Sequence, residues 1–419
     1  MTRRVVVTGM GAIAAPGRTR SEFWESLKCG RSAIRPMRLV PEGSLRFSNG
    51  AEVANYRSSD YFEEKAADML DRFAQFALIA AREGVADSGL EITPALGERM
   101  AIVTGTSSAG QTSEDVEFHS LYARGSSRIH PLTITRIMGN AGTSAIAHEF
   151  GIVGPAYTVC TACSSSNHAI GQAFWMVRNG IADAAIAGGA ETPFSLGFLK
   201  AWEAMRIIAP DTCRPFSRDR RGLILGEGAG MLVLEPLDDA RARGAHIWGE
   251  IAGFGMSSDA HHLTQPLPEG AARAMRAALA DAGAAPDAMG YINAHGTGTS
   301  TNDVTETEAI RSVFGSHADR LMVSSTKSMH GHALGAAGAL EAVATLLALH
   351  EGVIPPTANF TEPDPACDLD VVPNHARRAE IEWALSNSFA FGGLTAVLAF
   401  RRVVFSETSR RDHELVGTG

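Results

Sequence analysis

The chain has 419 residues, 45% hydrophobic and 20% charged, with 43 glycines and a formal net charge of −9. This composition fits a soluble globular protein and excludes a disordered or fibrous chain, while the acidic balance argues against a general nucleic-acid binder. At this length it builds two domains, or one large α/β unit with internal duplication.

Val5-Val6-Val7-Thr8-Gly9 is too short an apolar run for a signal-peptide core and reads as a first strand. No stretch reads as long and apolar enough to cross a bilayer, so the expected compartment is the cytoplasm, with no membrane partner. Five cysteines, Cys29, Cys160, Cys163, Cys213 and Cys367, are odd in number and scattered, as reduced thiols are.

In chain order, strands are predicted at Arg4–Thr8, Met100–Thr104, Ala156–Thr161, Ala184–Ala187 and Met231–Glu235. The second half repeats the pattern at Gly249–Gly253, Gly290–Asn293, Met322–Ser325, Trp383–Ser386 and Ala396–Phe400. Several are continuous apolar runs, as expected of strands covered on both faces. Helices are predicted at Asp71–Ala86, Ser164–Asn179, Ala271–Ala282, Asp303–Val313 and Ala336–Leu349. The class is α/β with layered sheets. Val5-Val6-Val7-Thr8-Gly9-Met10-Gly11 has a faint echo in Glu250-Ile251-Ala252-Gly253-Phe254-Gly255-Met256. The expected units are an N-terminal half, 1–245, a C-terminal half, 246–405, and a loose tail, 406–419.

The most informative segment is Thr161-Ala162-Cys163-Ser164-Ser165, between a predicted buried strand and a predicted helix. There unpaired N–H groups and the helix dipole converge, a field expected to favour thiolate. The same N–H groups can receive an oxyanion. Three other strand ends run into glycine or small-residue turns. Asn293-Ala294-His295-Gly296-Thr297-Gly298-Thr299 offers an imidazole and two hydroxyls. Lys327-Ser328-Met329-His330-Gly331-His332 offers an ammonium and two imidazoles, with Glu341 as partner for Lys327 and with His330 read as a surface residue. Ser386-Asn387-Ser388-Phe389-Ala390-Phe391-Gly392-Gly393 offers an aromatic. Sites in open α/β sheets form at the carboxyl ends of strands, which favours one shared site. Cys plus two His is also a conceivable zinc set; no fourth ligand is evident, so no metal is assigned.

Taken together, these motifs resemble those of β-ketoacyl-[acyl-carrier-protein] synthases, over roughly Arg3 to Arg402. Arg214-Pro215-Phe216-Ser217 and Gly226-Glu227-Gly228-Ala229-Gly230 match further signatures of that family. The resemblance is to the second, elongating bacterial type. Leu199 to Arg206, continuing to Arg214, is similar to the nodulation-factor acyl synthase branch, which makes unusual, often polyunsaturated chains; polyene ketosynthases look similar.

The resemblance implies a thiolase-like αβαβα fold with two duplicated halves. It implies an acyltransferase that condenses acyl-Cys163 with malonyl-carrier protein, losing CO2. His295, His332 and Lys327 join Cys163 as catalytic residues. Phe391 and Gly392 form the oxyanion hole and gate, Thr297 and Thr299 contact phosphopantetheine, and Glu341 supports Lys327. No cofactor is required beyond the carrier's phosphopantetheine, although some relatives hold a structural monovalent cation. Partners are an acyl carrier protein, docking on Arg206, Arg214, Arg218, Arg220 and Arg221, and a second subunit, identical or a chain-length-factor-like one. Two departures stand out. Ala390 replaces a glycine of the gate turn. Ser108 stands where housekeeping relatives carry a bulky apolar residue, and is expected to deepen the acyl pocket. Rival readings are housekeeping elongation, a silent chain-length factor and a biosynthetic thiolase.

Overall fold

The computed structural model describes residues 2–403, so the expected tail lies outside the described residues. Every predicted strand forms. Numbered here in chain order, they are β1 (Val5–Ala14), β2 (Met100–Gly105), β3 (Ala156–Val159), β4 (Ala184–Glu191) and β5 (Gly228–Pro236), then β6 (Gly249–Ser258), β7 (Met289–Asn293), β8 (Met322–Ser324), β9 (Trp383–Phe389) and β10 (Leu394–Arg401). Most are buried along their length, which the unbroken apolar runs required.

They form one ten-stranded sheet in the order β8-β7-β9-β10-β6-β1-β5-β4-β2-β3. Outward from the centre, the first half runs 1-5-4-2-3 and the second 6-10-9-7-8. Each half has two antiparallel pairings nearest the join and two parallel ones farther out. The halves meet where Val5–Val7 pair antiparallel with Gly249–Ile251. The faint echo between the segments around β1 and β6 thus has a structural counterpart: both are the innermost strands.

Seven helices matter here: α1 (Arg72–Ser88), α2 (Ala141–Phe150), α3 (Ser165–Arg178), α4 (Leu196–Met205), α5 (Pro268–Ala282), α6 (Ser300–Phe314) and α7 (Ala337–Glu351). Their ends follow local chemistry: Asp71 caps α1 by accepting from the Phe73 N–H. α1 and α2 cover the outer face of the first half, α5 and α6 that of the second, and α3 and α7 lie between the halves.

That middle layer corrects one expectation. Leu334–Glu351 is long and apolar enough to span a bilayer, yet 89% of it is buried inside the protein. Its leucines and valine pack against both halves, each burial stabilising by about 1.5–3 kcal/mol. It is a core helix, all-round apolar because it has protein on every side.

The predicted buried strand before Cys163 needs a second correction. β3 is the sheet's outer edge, with Ala156 and Tyr157 exposed and Thr158 and Val159 half-buried. Its apolar residues face an open margin rather than a covered one.

Candidate active site

β3 leads into a tight turn, Ala162–Ser164, before α3 begins. Ala162 is held at φ +50, a left-handed conformation that costs a non-glycine residue about 1–3 kcal/mol. The turn is pinned locally: the Ser165 hydroxyl donates to the Ala162 carbonyl at 2.7 Å and accepts from the Thr161 N–H at 2.9 Å. This geometry places the buried Cys163 at the helix start, facing a cavity of about 240 Å³. The N–H groups of Phe391 and of Cys163 itself bear on the sulfur.

Burial nevertheless wins over the helix field. It pushes the Cys163 thiol up to about 11, with the Lys327 charge and the two N–H groups pulling the other way. The expected resting thiolate is therefore corrected to a resting thiol.

His295 and His332 line the same cavity, their ring centroids 5.3 Å apart at 83°. Both are buried, and burial holds both well below the ordinary histidine value, aided by the Lys327 charge. Their neutral tautomers follow from what each Nδ1 meets. His332 Nδ1 accepts the Leu334 N–H at 3.0 Å. His295 Nδ1 lies 3.4 Å from Lys327 Nζ. An acceptor at Nδ1 leaves the proton on Nε2.

Lys327 and Glu341 are both wholly buried and form a direct ion pair. Burial pushes the Glu341 carboxyl up to about 7, against the pull of Lys327. His330 is corrected from surface to core. It is fully buried against Phe23, its Nε2 is 3.0 Å from Thr326 Oγ1, and burial lowers it to about 3.

Thr297 and Thr299 line the cavity with their hydroxyls 2.9 Å apart, and Thr299 caps α6. Phe391 stacks on Trp202 at 6.2 Å, and the Gly392 N–H donates to the Leu263 carbonyl at 2.7 Å, which pins the turn. Positive φ falls on Gly392 and Gly393 but not on Ala390, so the turn in this conformation does not need a glycine at 390.

Ser108 does not line the Cys163 cavity. Its hydroxyl donates to Glu191 Oε1 at 2.6 Å. The arginine cluster also divides. Arg220 pairs with Asp364 at 2.5 Å, Arg214 with Asp211 at 2.8 Å and Arg218 with Glu362 at 3.5 Å. Arg206 and Arg221 are exposed at the cavity rim, with no carboxylate partner among the described residues.

Several residues were not singled out from sequence. Glu306 accepts the His295 and Gly296 N–H groups, each at 2.8 Å, and Asp303 accepts those of Phe216 and Gly298. Their signal was present: two carboxylates three apart at the start of a helix whose preceding turn carries the histidine. Another set is a group of buried oxygens without hydrogen-bond partners: Asn293 Oδ1, Glu341 Oε2 and Ser386 Oγ. Asn293 and Ser386 sit opposite each other on β7 and β9. Hard oxygen donors beside a carboxylate fit the monovalent cation held by some relatives. Among the described residues no group of three or more His, Cys, Asp or Glu could hold a metal ion.

Buried thiol, paired neutral imidazoles and an N–H-lined pocket between two duplicated halves define a thiolase-fold condensing enzyme. Residues 2–240 match the family profile "Beta-ketoacyl synthase, N-terminal domain" and residues 248–361 match "Beta-ketoacyl synthase, C-terminal domain". The chain belongs to the β-ketoacyl synthase family, an acyltransferase family. It is 48% identical over 403 residues to nodulation protein E of Rhizobium sp. (strain N33), covering 96% of this chain and 100% of that one. It is 42% identical to 3-oxoacyl-[acyl-carrier-protein] synthase 2 of Synechocystis sp. (strain ATCC 27184 / PCC 6803 / Kazusa), covering 96% and 98%. Among solved structures, the ishigamide ketosynthase/chain length factor superposes with a TM-score of 0.91 at 39% identity, covering 96% of this chain and 100% of that one. A type II polyketide ketosynthase solved with its acyl-carrier protein, AntDE:AntF, superposes at 0.88 with 31% identity, covering 96% and 100%. These relatives bear out the elongating, nodulation-branch resemblance.

Proposed function

We propose that the chain condenses an acyl group on Cys163 with malonyl-[acyl-carrier-protein], releasing CO2 and giving 3-oxoacyl-[acyl-carrier-protein], and that the growing chain is a specialised, often polyunsaturated one. The observation that carries the reaction is the meeting of Cys163 with two neutral imidazoles in one cavity. Similarity to nodulation protein E and to the ishigamide ketosynthase/chain length factor supports the specialised product.

Cys163 loses its proton as it attacks the acyl thioester, and the carrier's thiol leaves. The N–H groups of Cys163 and Phe391 hold the oxyanion, each such donor worth about 3 kcal/mol. In the second half-reaction His295 and His332 donate from Nε2 to the enolate oxygen left by decarboxylation. The carbanion then attacks the acyl-Cys163 carbonyl and expels the sulfur. Lys327 keeps His295 Nδ1 an acceptor, and Glu341 holds Lys327. Thr297 and Thr299 offer hydroxyls to the pantetheine arm. A bound monovalent ion at Asn293, Glu341 and Ser386 would supply positive charge beside the Glu341 carboxylate.

Among the rivals, a silent chain-length factor is disfavoured by the intact Cys163, and a thiolase by the absence of cysteine in Phe389–Gly393. Two subunits are part of the proposal. The open edge of β3, with Tyr157 exposed and Val153 74% exposed nearby, is a margin that another strand can cover. The proposed compartment is the cytoplasm, in keeping with five free cysteines.

The test is mass spectrometry of the chain offered acyl-carrier proteins bearing saturated and polyunsaturated acyl groups. Preferential acylation of Cys163 by the unsaturated chains is expected, in a two-chain assembly under native conditions. Equal or preferred loading of saturated chains would return the reading to housekeeping elongation. For carrier docking, Arg206→Glu with Arg221→Glu is expected to weaken carrier-protein binding by about tenfold, ~1.4 kcal/mol, more at low salt. Unchanged binding by surface plasmon resonance would remove these two residues from the docking surface.

A further inference from the structure

One buried carboxylate outside the cysteine and histidine set ties the site's separate pieces together. Glu191 ends β4 and is wholly buried. Its Oε1 accepts from Thr106 Oγ1 at 3.1 Å, the Ser108 N–H at 3.1 Å and Ser108 Oγ at 2.6 Å. Its Oε2 accepts from the Ser107 N–H and Ser107 Oγ, both at 2.6 Å, and from the Gly335 N–H at 3.1 Å. Five of these donors fix the turn after β2. The sixth comes from the turn between His332 and α7.

The network continues into the nucleophile's own helix. The Gly335 carbonyl accepts from the hydroxyl of Ser166, three residues after Cys163. Ser165 Oγ is 3.3 Å from the Thr106 carbonyl. The approach is so close that a Cβ at Gly335 would lie 2.5 Å from the Ser107 nitrogen and 2.6 Å from Glu191 Oε2. Six donors on one carboxylate make a fully satisfied polar hub, the kind that rigidifies a core.

We propose that Glu191 is a positioning residue for condensation, clamping the turn after β2 and the turn after His332 against the start of α3, with Ser107 and Ser108 as its dedicated hydroxyl donors. This gives Ser108 a function other than widening a pocket. Glu191 also faces the nucleophile electrically. Around the sulfur, Lys327 pulls the thiol down while Glu191 pushes it up. His295 and His332, held neutral by burial, add no charge there.

The proposal rests on the ketosynthase reading, and its test separates the two. Glu191→Gln keeps the shape, removes the charge and sets an NH2 group against the donors. Condensation by the full chain is expected to fall at least tenfold, with the KM for acyl-carrier protein unchanged. The pH profile of Cys163 alkylation by iodoacetamide is expected to move to lower pH, so labelling at pH 8 rises severalfold. A merely structural role would lower condensation without that downward movement. A folded Glu191→Gln variant with wild-type condensation, or with an unmoved alkylation profile, overturns the proposal. If that variant does not fold, the pair Ser107→Ala and Ser108→Ala keeps the charge and loses two donors. It is expected to lose condensation severalfold with no downward movement of the alkylation profile; retained activity overturns the clamp. If the wild type condenses nothing on any carrier, the ketosynthase reading fails, while the alkylation profile still reports on Glu191.

Discussion

Cys163→Ala abolishes condensation, by at least about 10⁴-fold, because no other thiol lines the cavity. Product formation from acyl- and malonyl-carrier protein, followed by mass spectrometry, checks this. A variant that keeps even a tenth of the wild-type rate would refute the nucleophile assignment. Cys163→Gln separates the half-reactions. It cannot form a thioester, so malonyl-carrier protein is expected to lose CO2 and accumulate as acetyl-carrier protein. That decarboxylation should stay flat between pH 8 and about pH 6. The sign follows from the imidazoles: burial lowers both, so they remain neutral Nε2–H donors as pH falls through the ordinary histidine value of about 6.5. An acid limb near that value would show that one of them titrates normally and that the electrostatic reading is wrong.

Lys327→Met carries the second large effect, this time on stability as well as rate. Its ammonium pairs with Glu341 where neither side chain touches water. Removing one member of such a pair strands the other and costs about 3–5 kcal/mol. The denaturation midpoint in urea should fall accordingly. Glu341 Oε2 already lacks a hydrogen-bond partner, which leaves it no alternative donor among the described residues. The double variant Lys327→Met with Glu341→Leu restores most of that stability, since no charge is then left buried. Its activity stays low, because His295 has lost the cation that keeps its Nδ1 an acceptor. Full recovery of both stability and rate in the double variant would sink the positioning role of Lys327.

Sequence reading reached far into this molecule because its strands are long apolar runs and its chemistry sits at their ends. Cys163, His295 and His332 were legible since each follows a run that reads as a strand and lies in or beside a small-residue or glycine turn. What failed did so for reasons of surroundings. β3 has the composition of a covered strand but occupies an edge, and composition does not report sheet position. His330 is two residues from His332 and shares its motif, yet a histidine's burial depends on neighbours such as Phe23 that lie 307 residues away. The charge state of Cys163 depended on a contest between burial and helix field that no local pattern decides. The bond from the Ser108 hydroxyl to Glu191, 83 residues on, likewise joins two strand ends that no local pattern connects. The left-handed Ala162 has no sequence signal at all, because glycine would be the expected occupant.

The repeated strand order carries an implication for how the two copies depend on each other. The reactive sulfur belongs to the first repeat, while both imidazoles and the ammonium belong to the second. Neither copy holds a complete set of reacting groups, so a gene encoding one alone encodes no catalyst. Each copy is therefore bound to the other by chemistry as well as by packing, since the cavity exists only where both contribute to its walls.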